Sequence, residues 1–504
     1  MTMEQFAPWM FLGLIVILLI GFPVAFSLAA LGLGCAVLAI HMGWFPPEFL
    51  GTLPLNVFGL LRNDLLLAIP FFTLMGAILE KCGLAEDMLE GMGQLFGPIR
   101  GGLGYAVIIV GFILGAITGT VAGQVIAMTM IALPVMLRHG YDPRYATGVL
   151  AASGTITQLV PPSLVLVVLA DQLGQPVGDM YKGAWGPSAL QVLMFAAYTF
   201  YLSRRHPERL PAIPRTHQDL PRKALWLKCL RGIIPSAFLI LAVLGSMGGL
   251  PWQRDAICSP TEAGAMGAAG AALLAALHRR LDWTLVRDTV MGTMRITAMV
   301  VFILIGSRVF SLVFQGVGGG HWIESVLGHL PGGQIGFLIV VNVAVFLLAF
   351  FLDFFEIAFI ILPLLGPVAH KLGIDPVWFG VLLCVNMQTS FMHPPFGFAL
   401  FYLRGIADSL YKNGKLPKRI DSQDLYMGAI PWVGLQLMLV AIVIAFPSTV
   451  TLFVDKAPKP DEAAAQQFLH DQQEQAAPQG NEALDDLLKA AGQASAASSP
   501  SASR

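Results

Sequence analysis

The chain has 504 residues, of which 56% are hydrophobic and 12% charged, and its mean hydropathy is +0.71. A composition this apolar excludes a soluble fold of several domains; the bilayer is its solvent, and no soluble catalytic domain is left over. The formal net charge of −1 says nothing about partners, because the charges are unevenly spread and their positions matter more than their sum.

The sequence opens as MTMEQFAPWM, without the basic leader and small-residue cleavage site of a removable signal peptide, so the first helix is expected to stay in the membrane. Apolar stretches of roughly 15 to 33 residues then recur along nearly the whole chain, and a span needs about 20, so roughly a dozen membrane segments fit. Cys35, Cys82, Cys229, Cys258 and Cys384 have no CxxC spacing and read as packing residues. Basic residues concentrate at Arg204 to Arg231, His278 to Arg287 and Arg404 to Arg419, which makes these cytoplasmic loops. Asp171 to Ser188 and Gly248 to Cys258 then face the other side, as do both termini. From Asp455 onward the composition is Ala, Gln, Ser and Pro with scattered charges, which predicts a disordered tail with a short helix around Asn481 to Ala491.

Four landmarks recur in order. Arg100-Gly-Gly, Leu133-Pro134, Gly140-Tyr-Asp-Pro143 and Pro161-Pro162 are matched by Pro331-Gly-Gly, Leu362-Pro363, Gly373-Ile-Asp-Pro376 and Pro394-Pro395. In both sets the Asp-Pro pair stands 18 residues before the Pro-Pro pair. The basic linker separates a half that starts outside from one that starts inside, so the copies are expected to be inverted, as in secondary transporters. The expected layout is a first repeat over 1–203, a cytoplasmic linker over 204–231, a second repeat over 232–454 and the tail over 455–504. The fold class is all-α polytopic membrane protein, with two re-entrant hairpins and two broken helices.

The first hairpin spans 104–137 and turns at Gly115-Ala-Ile-Thr-Gly-Thr-Val-Ala-Gly123; the broken helix after it, 142–173, is interrupted at Ser153-Gly-Thr-Ile-Thr-Gln-Leu-Val-Pro-Pro-Ser163, where consecutive prolines remove backbone donors. The second hairpin, 334–366, turns at Ala349-Phe-Phe-Leu-Asp-Phe-Phe-Glu356. Its broken helix, 375–404, is interrupted from Asn386 to Gly397, and a last helix covers 427–450. Broken helices survive at membrane depth where they are buried or line a site. Unwound carbonyls with Ser and Thr hydroxyls suit dehydrated sodium, and half-helix N-termini suit an anionic substrate group.

Among single residues, Asp353 and Glu356 stand in a strongly apolar hairpin, where they bind a cation, carry a proton or contact substrate, or else cap half-helices. Arg308 is a candidate partner for a substrate carboxylate, or else it snorkels to an interface. Asp142 and Asp375, each before a proline, read as helix-start residues, and Glu262 as a first-turn carboxylate. Glu80, Lys81, Glu86 and Asp87 read as an interfacial amphipathic connection.

From Ala7 to Val450 the chain resembles the large membrane subunit, DctM type, of a tripartite ATP-independent periplasmic (TRAP) transporter. The residues that carry the resemblance are Ala68-Ile-Pro-Phe-Phe72, Gly140-Tyr-Asp142 with Val160-Pro-Pro-Ser163, Ser259-Pro-Thr-Glu262, Phe351-Leu-Asp353 and His393-Pro-Pro-Phe-Gly397. The resemblance implies a sodium-coupled elevator of the bacterial inner membrane, importing an organic acid with sodium as coupling ion and no other cofactor. It also implies two partners, a small four-helix membrane subunit on a separate polypeptide and a periplasmic binding protein. Carried over by position, one sodium site takes Asn63, Gly119, Thr120, Ser153, Gly154, Thr155 and Thr157. A second takes Ala349, Asp353, Ser390 and His393; Ala349, Ser390 and His393 depart from the family pattern. Arg308, Asp353, Glu356 and Ser163 are the candidate substrate contacts. The competing readings are a stand-alone elevator symporter, a channel, and an intramembrane enzyme, for which no HExxH, GxSxG or Cys/His cluster is present.

Overall fold

The computed structural model describes residues 3–213, 221–253, 255–350, 352–393 and 397–454; the tail, its expected helix and the Pro394-Pro395 landmark lie outside them. The first half of the chain begins with α1 (Met3–Ile20), α2 (Val24–His41), α3 (Leu53–Leu61), α4 (Asp64–Lys81) and the short amphipathic α5 (Leu84–Phe96). It continues with α6 (Gly102–Thr118), α7 (Val121–Arg138), α8 (Pro143–Thr155), α9 (Leu164–Leu173) and α10 (Val177–Arg205). The second half begins with α11 (Arg222–Ser246), α12 (Pro260–Leu277), α13 (Trp283–Gly316), the short α14 (Gly319–Leu327) and α15 (Gly333–Leu348). A single turn, α16 (Phe354–Glu356), runs through a π-helical stretch, Ile357–Ile361, into α17 (Leu362–Lys371). Then come α18 (Pro376–Met387), α19 (Phe398–Lys412), α20 (Ser422–Ala445) and α21 (Ser448–Thr451).

Among the described residues, six helices are long and apolar enough to cross a membrane, and Pro47–Leu61 with Leu65–Lys81 forms a further pair bent by 45°. That is fewer than the dozen segments expected; five further apolar helices, among them α6, α9 and α15, are shorter than a span. The linker is shorter than 204–231, because α10 carries its helix to Arg205 and α11 starts at Arg222. The last long helix likewise sits earlier, at Ser422–Ala445.

Local chemistry sets the breaks. Between α6 and α7 only Gly119 and Thr120 leave the helix, with Gly119 at φ 62, a conformation that glycine takes without Cβ strain. The tip is thus narrower than Gly115 to Gly123. α8 ends in a 3-10 turn at Ile156–Gln158, and α9 restarts at Leu164, where the Ser163 hydroxyl accepts from Val165 N at 3.2 Å. α18 ends in the same way in a 3-10 turn, Gln388–Met392. Asp142 and Asp375 are the caps expected of them, accepting from Arg144 N at 3.0 Å and Trp378 N at 2.8 Å. Ser259 and Glu262 form a reciprocal capping box, whose donors hold the Glu262 carboxyl below the usual carboxylate range.

Two ion pairs and one hydrogen bond to a backbone carbonyl tie the basic loops to neighbouring helices. Arg209 Nε lies 3.8 Å from Asp142, Arg144 donates to Asp424 at 2.9 Å, and Arg138 donates to the Lys415 carbonyl at 3.5 Å. Lys81 pairs with Asp288 at 3.2 Å beside the basic segment His278 to Arg287. Exposed pairs of this kind contribute about 1 kcal/mol or less each, so they gather the loops at one end more than they hold the fold. Stability comes from helix packing. α8 and α20 approach so closely at Gly148 and Gly428 that a Cβ on Gly148 would lie 2.3 Å from the Gly428 carbonyl oxygen.

Candidate functional site

Each hairpin meets its broken helix through buried amides. In the first half Gln124, on α7 and fully buried, donates from Nε2 to the Gly111 carbonyl at 2.6 Å and the Ser153 carbonyl at 2.9 Å. Its Oε1 accepts from the Thr157 hydroxyl and, at 3.4 Å, from the Thr118 hydroxyl. One side chain therefore ties both arms of the hairpin to the broken helix. In the second half Asn386 donates to the Asn342 carbonyl at 2.8 Å. The positions correspond: Gly111 and Asn342 each follow Gly101 and Gly332 by 10 residues, while Ser153 and Asn386 each follow Asp142 and Asp375 by 11.

The residues expected at the first sodium site fall in four places. Ser153, Gly154 and Thr157 gather around Gln124, with the Thr157 hydroxyl also donating to the Gly154 carbonyl at 2.8 Å. Gly119 and Thr120 line a small pocket with Phe72, Thr73 and Pro162. Thr155 turns toward α20, accepting from Gln436 Nε2 at 2.9 Å. Asn63 caps α4 through Leu65 N at 3.0 Å and donates to Asp171 Oδ1 at 2.6 Å, in a larger cavity.

At the second tip Asp353 and Glu356 form a reciprocal capping box, each side chain accepting from the other's backbone N–H at 3.0 Å. His393 is buried against Phe346 and Phe350, with ring centroids 4.2 Å away in both cases, and neither of its nitrogens has a hydrogen-bond partner among the described residues. The structure thus brings His393 to the residue next to Ala349. The Ser390 hydroxyl donates to the Met387 carbonyl at 2.6 Å. Ser163 is occupied locally, capping α9 and donating to the Gln158 carbonyl. Phe351 lies outside the described residues.

Buried polar atoms with no hydrogen-bond partner among the described residues include Ser153 Oγ and both ends of the Gln158 amide at the first helix break, Asn386 Oδ1 just before the second, and Asn342 Oδ1 on the facing α15. Buried polar groups are ordinarily satisfied, so orphaned oxygens beside a helix break are a donor set suited to a hard cation. No group of three or more His, Cys, Asp or Glu capable of holding a metal occurs among the described residues.

Arg308 stands elsewhere. Together with Asn63, Asp171, Ser307, Ser311, Gln315 and His370 it lines a cavity of about 540 Å³ between α13 and the second hairpin. The Ser307 hydroxyl donates to the Phe359 carbonyl at 2.5 Å, in the π-helical stretch where the ordinary i to i+4 ladder is interrupted. Sequence reasoning missed Gln124 and Asp171. Gln124 left a signal, standing 10 residues before Pro134 as Asp353 stands 10 before Pro363.

Long apolar helices, two helix breaks with oxygen-rich edges, and a polar cavity between helices define a polytopic membrane permease rather than an enzyme. The chain belongs to the DctM family, described as the DctM component of the tripartite ATP-independent periplasmic transporter, whose model matches residues 11–449. It is thus a large permease component of the inner membrane. It is similar to the C4-dicarboxylate TRAP transporter large permease protein DctM of Pseudomonas aeruginosa, at 28% identity over 80% of this chain and 89% of that protein. The protein of the same name from Rhodobacter capsulatus is also 28% identical, over 86% of this chain and 96% of its own length. Among solved structures the fold is like that of the Alcanivorax borkumensis YdaH transporter, with TM-score 0.54 and 15% identity, over 79% of this chain and 87% of that one.

Proposed function

We propose that this permease imports an organic acid by sodium coupling. Residues 1–203 and 232–454 form the inverted repeats, and the hairpins with their broken helices move as one body against the remaining helices. A small four-helix membrane subunit completes the scaffold, and a periplasmic binding protein delivers the substrate at the outer face. The observation that carries this reading is the pair of orphaned oxygens on Ser153 and Asn386, at corresponding positions of the two copies beside the helix breaks. Sodium is held around Gly119, Thr120, Ser153, Gly154 and Thr157 at one tip, and around Ala349, Asp353, Ser390 and His393 at the other. An organic acid is favoured because Arg308 faces an open polar cavity and the relatives are named for C4-dicarboxylates.

Thr120→Ala and Asp353→Asn separate the sites. Both are expected to weaken the sodium dependence of uptake in proteoliposomes containing all three components, while membrane insertion stays normal. Wild-type sodium curves in both variants would remove the assignment. Uptake that persists without the binding protein would instead favour a stand-alone symporter.

A further inference from the structure

The cavity beside α13 carries opposite charges. Arg308 is exposed into it and forms no salt bridge within 4.0 Å among the described residues. Asp171, at the end of α9, is held in place: Oδ1 accepts from Asn63 at 2.6 Å and Oδ2 from Gln172 at 2.8 Å. A carboxylate oxygen accepts two hydrogen bonds, so each still has a free acceptor position. The amides of Asn63 and Gln172 thus fix a carboxylate in a wall of the same chamber that presents a guanidinium. By the charge rule Asp171 begins the outer segment, so the chamber belongs to the outer side.

We propose that this chamber is a selective vestibule for hydroxylated monocarboxylic acids, Arg308 pairing with the ligand carboxylate while Asp171, positioned by Asn63 and Gln172, accepts from a ligand hydroxyl. The inference rests on the proposed carboxylate transport and narrows its substrate class. A plain acid of the same length leaves Asp171 without its partner. A dicarboxylate brings its second charge toward Asp171, and like charges in a partly enclosed site repel. The chain therefore prefers a different acid from the C4-dicarboxylates for which its relatives are named.

Gln315 lines the chamber and is exposed, so Gln315→Cys in a background without the five native cysteines reports on its occupancy. The complex with the small subunit is reconstituted without the binding protein, and labelling by a neutral methanethiosulfonate is timed with lactate, propionate or succinate present. Lactate is expected to protect at an about tenfold lower concentration than propionate, the ratio for one hydrogen bond to a charged acceptor, with succinate no better than propionate. Asp171→Asn is expected to bring lactate and propionate together, Asn63→Ala to narrow their gap, and Arg308→Gln to remove protection by all three. An unchanged labelling rate without acid shows that these variants retain the fold. Equal protection by propionate or succinate, a lactate preference that survives Asp171→Asn, or no protection at all overturns the proposal. Uptake of a delivered carboxylate without any protection removes the vestibule alone, whereas lactate protection without sodium-dependent uptake removes the import reading alone.

Discussion

Gln124→Leu is expected to lower sodium-dependent uptake at least about tenfold and to destabilise the protein by several kcal/mol. Leucine keeps much of the volume but removes both donors and the acceptor. The Gly111 and Ser153 carbonyls lose Nε2, and the Thr157 and Thr118 hydroxyls lose Oε1, among buried side chains. A buried polar group left unpaired costs about 1–3 kcal/mol, and four hydrogen bonds end on this one side chain, although the Thr157 hydroxyl keeps the Gly154 carbonyl. The hairpin tip would then no longer be registered against the broken helix, so the loss exceeds what an ordinary core substitution gives. Uptake measured beside the apparent melting temperature of the solubilised protein separates the two effects. Near-normal values of both would mean that Gln124 is dispensable.

A comparable loss is expected from Gly148→Val, by a different cause. A Cβ there would lie 2.3 Å from the Gly428 carbonyl oxygen and 2.5 Å from Trp432 Nε1, while a Cβ on Gly428 would lie 2.2 Å from the Arg144 carbonyl oxygen. Helices in membranes associate through such small residues, because lipid supplies no hydrophobic drive for pairing. Trp432 has no room to retreat, being buried against Phe195 and Tyr198 with centroids 5.0 and 5.2 Å away. α8 and α20 must separate, at about 3 kcal/mol or more. Lower yield of folded protein and a lower melting temperature check this, and a wild-type melting curve contradicts it.

The helix breaks were legible because their causes are local. Gly119, Pro161-Pro162 and the Asp142 and Asp375 caps act within a few residues of themselves, and the sequence spacing placed each of them near its observed position. For Asp353 and Glu356 the sequence offered capping of a half-helix only as the alternative to a functional role, and the structure shows a capping box there. What escaped was every role set by a distant partner. Asn63 was assigned by resemblance to a sodium site, yet its amide meets Asp171, 108 residues away. Nothing near Asn63 in the chain announces that bond. Gln124 read as one polar residue in an apolar run, since its four partners come from three elements. His393 was singled out for departing from a family pattern; only packing shows it enclosed by Phe346 and Phe350. The linker and last helix were misplaced by several residues because charges at α10, α11 and α20 continue inside regular helix, and charge density alone does not mark where a helix stops.

The most direct test of the account is uptake into proteoliposomes that contain this chain, its small membrane subunit and its binding protein loaded with a carboxylate. The account predicts uptake against the substrate gradient when sodium is high outside, collapse of that uptake when the sodium gradient is dissipated, and none without the binding protein. Accumulation that continues undiminished with sodium absent on both sides would contradict it.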